Sequence, residues 1–177
     1  VIALVFLAGA AFGFDTYAAF LANLKTAQGA VDQARVSANV YASLYANLVM
    51  EGVYRPVAAV AHASSLLAAL ALAALIWRRN ESASSGAALC ALTMLISPYL
   101  FYYDTPLLAL GALLLARGTA SRLEQYGLAF AWSAGLLALT FGGFPFCPAA
   151  AWALMAIAAR RAGLFASRRD PRPGNPS

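Results

Sequence analysis

Few residues in this chain can do chemistry, and they gather around one carboxylate. Asp104 stands in Ser97-Pro98-Tyr99-Leu100-Phe101-Tyr102-Tyr103-Asp104-Thr105-Pro106, between two uncharged apolar runs, residues 86–96 and 107–116. A carboxylate without a charged neighbour is costly in apolar surroundings. In a membrane such a group faces protein or a wet cavity and is a functional candidate by default. Pro98 and Pro106 bracket the segment, and each removes a backbone donor. Non-helical backbone at membrane depth survives only where protein or a water-filled cavity satisfies it. The decapeptide is therefore expected to wall a cavity between two membrane helices. Tyr99 and Tyr103 would line it with Asp104; their competing role is an aromatic belt at the membrane interface. His62, the chain's single histidine, lies near the start of an apolar run. A lone histidine is often a packing residue, but inside a span its rarity favours function. Lys25, Arg35 and Arg55 can contact phosphate, although each alone is more often a solvated surface charge.

The elements that must position these residues follow from apolar patterning. Residues 1–14 read as a transmembrane helix truncated at its start, because the run is short for a span of about 20 residues. Residues 15–56 form the polar part, an outer loop. Within it Tyr17, Phe20, Leu21 and Leu24 share one helical face, as do Tyr41, Leu44, Tyr45 and Leu48. Two amphipathic helices are expected there, lying along the bilayer surface and broken at Gly29. Residues 57–166 read as a transmembrane helical domain. Its spans are 57–77, closed by Arg78 and Arg79, then 86–103, a short run over 105–116, and 126–159 divided by the turn at 142–148. Residues 167–177, with three prolines and three arginines, read as a disordered cytoplasmic tail.

Composition agrees with the membrane class. The 177 residues are 62% hydrophobic and 11% charged, where a soluble domain carries about 25% charged residues. Mean hydropathy is +0.70. The net charge of +5 is not a nucleic-acid signature, because the arginines cluster at the ends of apolar runs. Nine of the twelve Lys and Arg fall on the side of Arg78, Arg117, Arg160 and the tail. The positive-inside rule makes that side cytoplasmic and leaves the 15–56 loop, His62, Asp104 and the 142–148 turn on the outer side. Cys90 and Cys147 sit in apolar segments and read as packing residues. Neither a metal nor a cofactor is expected. No glycine-rich phosphate loop and no CxxC occurs, and one histidine makes no secure Ser-His-Asp set.

At SPYLFYYDTPLLAL, residues 97–110, the chain resembles the bacterial multi-spanning glycosyltransferases of family 87, which include polyprenol-phosphate-mannose-dependent alpha-mannosyltransferases. The upstream order fits as well. An acid closes an apolar helix at Phe14-Asp15-Thr16-Tyr17, Ala19-Phe20-Leu21 follows, and a second amphipathic run over 37–52 precedes a span ending in Trp-Arg-Arg. The similarity covers residues 10–116, more by order and spacing than by identity. It implies an all-α, multi-spanning helical membrane protein of the GT-C type, truncated at the N-terminus, in the bacterial inner (plasma) membrane with its C-terminus cytoplasmic. It also implies a polyprenyl-phosphate-sugar donor, mannose foremost, and a lipid or glycan acceptor on the outer face. The family's base is an acid in the first outer loop, which would precede Val1, so no catalytic residue is assigned and the fragment alone is expected to be inactive. Asp104 would line the same cavity and orient a sugar hydroxyl or a basic partner. Two other functions suit a multi-pass fragment: a transporter or permease using broken helices and a midplane carboxylate, and a non-catalytic membrane subunit that binds a partner through its loop.

Overall fold

The computed structural model describes residues 2–32, 41–79, 81–117, 121–141 and 144–165. Among them the chain is helical throughout: α1 (Ile2–Phe12), α2 (Asp15–Asp32), α3 (Leu44–Met50), α4 (Arg55–Trp77), α5 (Ser82–Ile96), α6 (Pro106–Ala116), α7 (Arg122–Phe141) and α8 (Phe146–Arg161), with a 3-10 turn at Tyr102–Asp104. The all-α expectation holds, but the multi-spanning one does not. Only α4, 23 residues long, is long and apolar enough among the described residues to cross a membrane. At 1.5 Å per residue it measures about 35 Å, against a hydrocarbon core of about 30 Å.

The local reasons are legible in the chain. Pro98 follows α5, whose last residue is Ile96, and Pro106 opens α6, so the span expected over 86–103 stops short as a helix of 15 residues and the short run over 105–116 is a separate helix of 11. These measure about 22 and 17 Å. The stretch over 126–159 is divided as expected, but α7 opens on Arg122, Glu124 and Gln125, and α8 has only 16 residues. A multi-spanning GT-C architecture is thus not supported among the described residues. The expected break at Gly29 is absent as well, since α2 continues through it to Asp32.

α5 sits at the centre, packed against α4, α6 and α8, and α7 packs on α6 and α8. The interfaces are built from small residues. Ala87, Ala88 and Ala91 of α5 meet Ala150, Ala151 and Ala158 of α8, with Leu92, Leu108, Leu115, Leu154 and Met155 filling between. Small side chains let helix axes approach closely. A Cβ on Gly111 would meet Leu154 Cδ1 at 3.0 Å and Cys90 Cβ at 3.3 Å, so α6 lies tight against both neighbours. Many other large apolar residues go outward. On α4, Val60, Leu67 and Leu75 are exposed, and only 22% of its most apolar window is buried. A core helix of a globular protein would be mostly enclosed.

The arginine end of the bundle is tied together. Ser121 and Glu124 form a capping box at the start of α7: Ser121 N–H donates to Glu124 Oε2 at 3.2 Å, and Glu124 N–H to Ser121 Oγ at 3.4 Å. Buried Glu124 also pairs with Arg161 at 3.4 Å and Arg160 at 3.8 Å. Arg161 donates to the Leu115 carbonyl at the end of α6. Gly163 (φ +76) then closes α8 in a Schellman motif, with Leu164 N–H reaching the Ala159 carbonyl at 3.0 Å and Gly163 N–H the Arg160 carbonyl at 3.0 Å.

Candidate functional site

The opposite end carries the site. His62 lies in the second turn of α4, on the stripe that also buries Ala58, Ala69, Ala73 and Ile76. It is 9% exposed. Neither Nδ1 nor Nε2 makes a well-formed hydrogen bond, and both are closed to solvent; the Ile96 carbonyl lies close enough to accept weakly from one ring N–H. Buried polar groups are nearly always bonded, and an unpaired one costs about 1–3 kcal/mol. The ring opens on a cleft of about 240 Å³ lined by Tyr45, Ala59, Pro98 and Tyr99. The Tyr45 and Tyr99 rings meet edge to face, with centroids 5.7 Å apart. One turn further along α4, Ser65 Oγ accepts from Trp152 Nε1 at 2.9 Å.

Two short segments hold the cleft in shape. Ser43 caps α3 by accepting from Ala46 N–H at 3.2 Å, and its hydroxyl donates to the Pro98 carbonyl. Ala42 N–H donates to the Leu100 carbonyl at 2.8 Å, and the Tyr41 and Phe101 rings lie 5.2 Å apart. Buried Asn47 donates to the Tyr41 and Ser43 carbonyls at 3.1 and 2.7 Å. The Pro98 and Leu100 carbonyls lie past the end of α5 and are satisfied by Ser43 and Ala42. Gly52 (φ +81) ends α3 in a second Schellman motif, with Val53 N–H on the Leu48 carbonyl at 2.9 Å and Gly52 N–H on the Val49 carbonyl at 3.1 Å. That turn folds Tyr45 back toward His62.

The residues expected to form the site are only partly brought together. His62 and Tyr99 share the cleft. Asp104 lies at the same end but not in the lining: its Oδ2 accepts from Phe101 N–H at 3.2 Å, and its own N–H donates to the Phe101 carbonyl at 3.1 Å. It closes the turn that launches α6. Tyr103 is exposed and stacks on Phe101, with centroids 5.3 Å apart and planes 13° apart. Arg55 begins α4 at an exposed position. Lys25 lies on α2, with its side chain outside the described residues, and Arg35 lies outside them altogether. Sequence reasoning missed the roles of Tyr45, Ser43 and Asn47; the Tyr41/Leu44/Tyr45/Leu48 spacing was the available signal.

Chemically the cleft is neutral. It offers two phenol-bearing rings, apolar walls and the edge of an imidazole whose two nitrogens are closed to solvent. Such a set suits a small uncharged ligand with hydroxyl groups, whose polar edge meets the phenols and whose flat face meets a ring. No group of three His, Cys, Asp or Glu suited to a metal occurs among the described residues. Compared with known proteins, the chain matches no family model, no curated protein and no solved structure.

Proposed function

We propose that this chain binds and orients a sugar in a membrane-anchored glycosyl transfer reaction, with a polyprenyl-phosphate-linked sugar, mannose foremost, as donor. The observation that carries this reading is the buried imidazole of His62, without a well-formed hydrogen bond, beside the two tyrosines of a cleft. A sugar ring offers hydroxyls for the phenols, hydroxyls for Nδ1 and Nε2 once a small shift of the wall uncovers them, and a C–H face for an aromatic wall. α4 supports the membrane part, since its length and outward-facing apolar side chains suit a bilayer. His62 is about 22 Å from the Trp77-Arg78-Arg79 end of that helix. The positive-inside rule then puts the cleft on the outer side. The resemblance at residues 97–110 supplies the reaction class.

The cleft's part in this reaction is limited by its chemistry. No carboxylate and no cation lines it, so the reading assigns it neither the base nor the phosphate contact. Glycosyl transfer needs both, and the cleft contributes positioning, which lowers the barrier by holding the sugar ready for attack. The test uses the chain in lipid nanodiscs with radiolabelled mannosyl-phosphoryl polyprenol and membrane lipid acceptors. Saturable donor binding, weakened at least about tenfold in both Tyr45→Ala and His62→Leu, supports the reading. Donor binding unchanged by both substitutions refutes it. Binding of the free polyprenyl phosphate as tightly as the sugar-bearing donor would also refute it, because the sugar would then contribute nothing.

A further inference from the structure

The arginine end of the bundle holds a second concavity. Between α7 and α8 runs a groove of about 440 Å³, within the about 300–1,000 Å³ of small-molecule sites. Its floor is apolar: Gly127 and Phe130 from α7 face Ala153, Ala156 and Ile157 from α8. A Cβ at Gly127 would meet Ile157 Cδ1 at 2.9 Å, so the helices approach closely and the groove is narrow rather than broad. Glu124 and Arg160 stand at its head. The charges there are unevenly paired. Glu124 is buried and accepts from Ser121 N–H and from Arg161, and Arg161 also acts on Glu81. Arg160 reaches Glu124 only at 3.8 Å, and its side chain is 56% exposed. The loosely held Arg160 guanidinium is therefore the group at the groove mouth open to a second anion.

We infer that this groove binds one anionic phospholipid, with an acyl chain along the α7–α8 floor and the headgroup phosphate on Arg160. A narrow apolar channel closed at one end by an exposed guanidinium is complementary to a chain with an anionic head. Arginine is suited to phosphate through its forked donors. This inference rests on the proposal that α4 lies in a bilayer, which brings the arginine end to the lipid headgroups. The groove and the sugar cleft share no residue, so the two can fail separately.

The test is native mass spectrometry of the full chain released from nanodiscs of equal parts phosphatidylcholine and phosphatidylglycerol. The inference expects one phosphatidylglycerol retained in preference to phosphatidylcholine. Retention should fall about tenfold or more in Arg160→Gln and survive in Arg160→Lys. It should also fall in Ala156→Trp, which fills the groove from an exposed position one turn from Arg160. His62→Leu should retain lipid like the intact chain, whatever becomes of sugar binding. Equal retention of the two lipids overturns the inference, as does full retention in either Arg160→Gln or Ala156→Trp.

Discussion

Replacing His62 with leucine should make this protein more stable. Both ring nitrogens are buried without a well-formed hydrogen bond. In the neutral imidazole one is a donor and one an acceptor; the Ile96 carbonyl stands near the ring as a weak acceptor for the donor, so one polar group, the acceptor nitrogen, is desolvated without return. Such a group costs about 1–3 kcal/mol when fully enclosed. His62 borders a cleft and keeps 9% of its surface exposed, which places the recoverable sum near the lower end, about 1–2 kcal/mol. Leucine has a similar volume and no polar atom, and its side chain would lie against Ala59 and Pro98. At about 2–4 °C per kcal/mol for a chain of this size, the melting temperature should rise by roughly 2–8 °C. The assay is thermal unfolding followed by circular dichroism, intact chain and variant in the same detergent. Destabilisation by about 1 kcal/mol or more would mean that the imidazole has a partner in the folded protein, and the reasoning would be refuted. Stability spent on an unsatisfied polar group is expected where that group serves a ligand.

Ser43→Ala removes the cap of α3 and the donor to the Pro98 carbonyl together; unfolding should show a loss of about 1–3 kcal/mol, and sugar binding should weaken because Tyr45 loses its anchor. Glu124→Gln leaves Arg161 without its counter-charge. A fully buried pair broken this way costs about 3–5 kcal/mol, but Arg160 is largely exposed, so denaturant titration should read about 2 kcal/mol. Cys147 is held in α8 with its thiol pushed up to about 11 by burial, from an ordinary value of 9.0. Maleimide should therefore label it only after unfolding. The unfolded chain releases this proton first, so the contribution to stability is intact below pH 9.0 and is lost as pH rises toward 11.

What the sequence revealed, and what it hid, follows from what each pattern measures. α4 was readable because a long uninterrupted apolar run closed by Trp77-Arg78-Arg79 has one simple outcome, and the structure gives Arg55–Trp77. The division at 142–148 was readable because Gly-Gly-Phe-Pro is strong turn chemistry. The number of spans was not readable. Alanine raises hydropathy whether it faces lipid or packs between helices, and here Ala87, Ala88, Ala91, Ala150, Ala151 and Ala158 pack between helices. Asp104 was misleading for a different reason. Its isolation from other charges is real, yet its carboxylate is occupied by a backbone N–H three residues earlier, a local bond that apolar surroundings do not announce. Ser121-Arg122-Leu123-Glu124 carried a capping-box signature in plain sight. The cleft depends on pairing Ser43 with Pro98 across 55 residues, and no local pattern encodes that.

One histidine in the whole chain makes the central claim directly measurable. With 15N-labelled histidine, the two ring nitrogens of His62 can be followed by NMR in nanodiscs while a soluble mannoside is added. The account predicts saturable shifts of both ring resonances at the same sugar concentration, absent when Tyr45 is replaced by alanine. Ring resonances that stay fixed while the sugar binds elsewhere, or that move equally in the Tyr45→Ala chain, would contradict it.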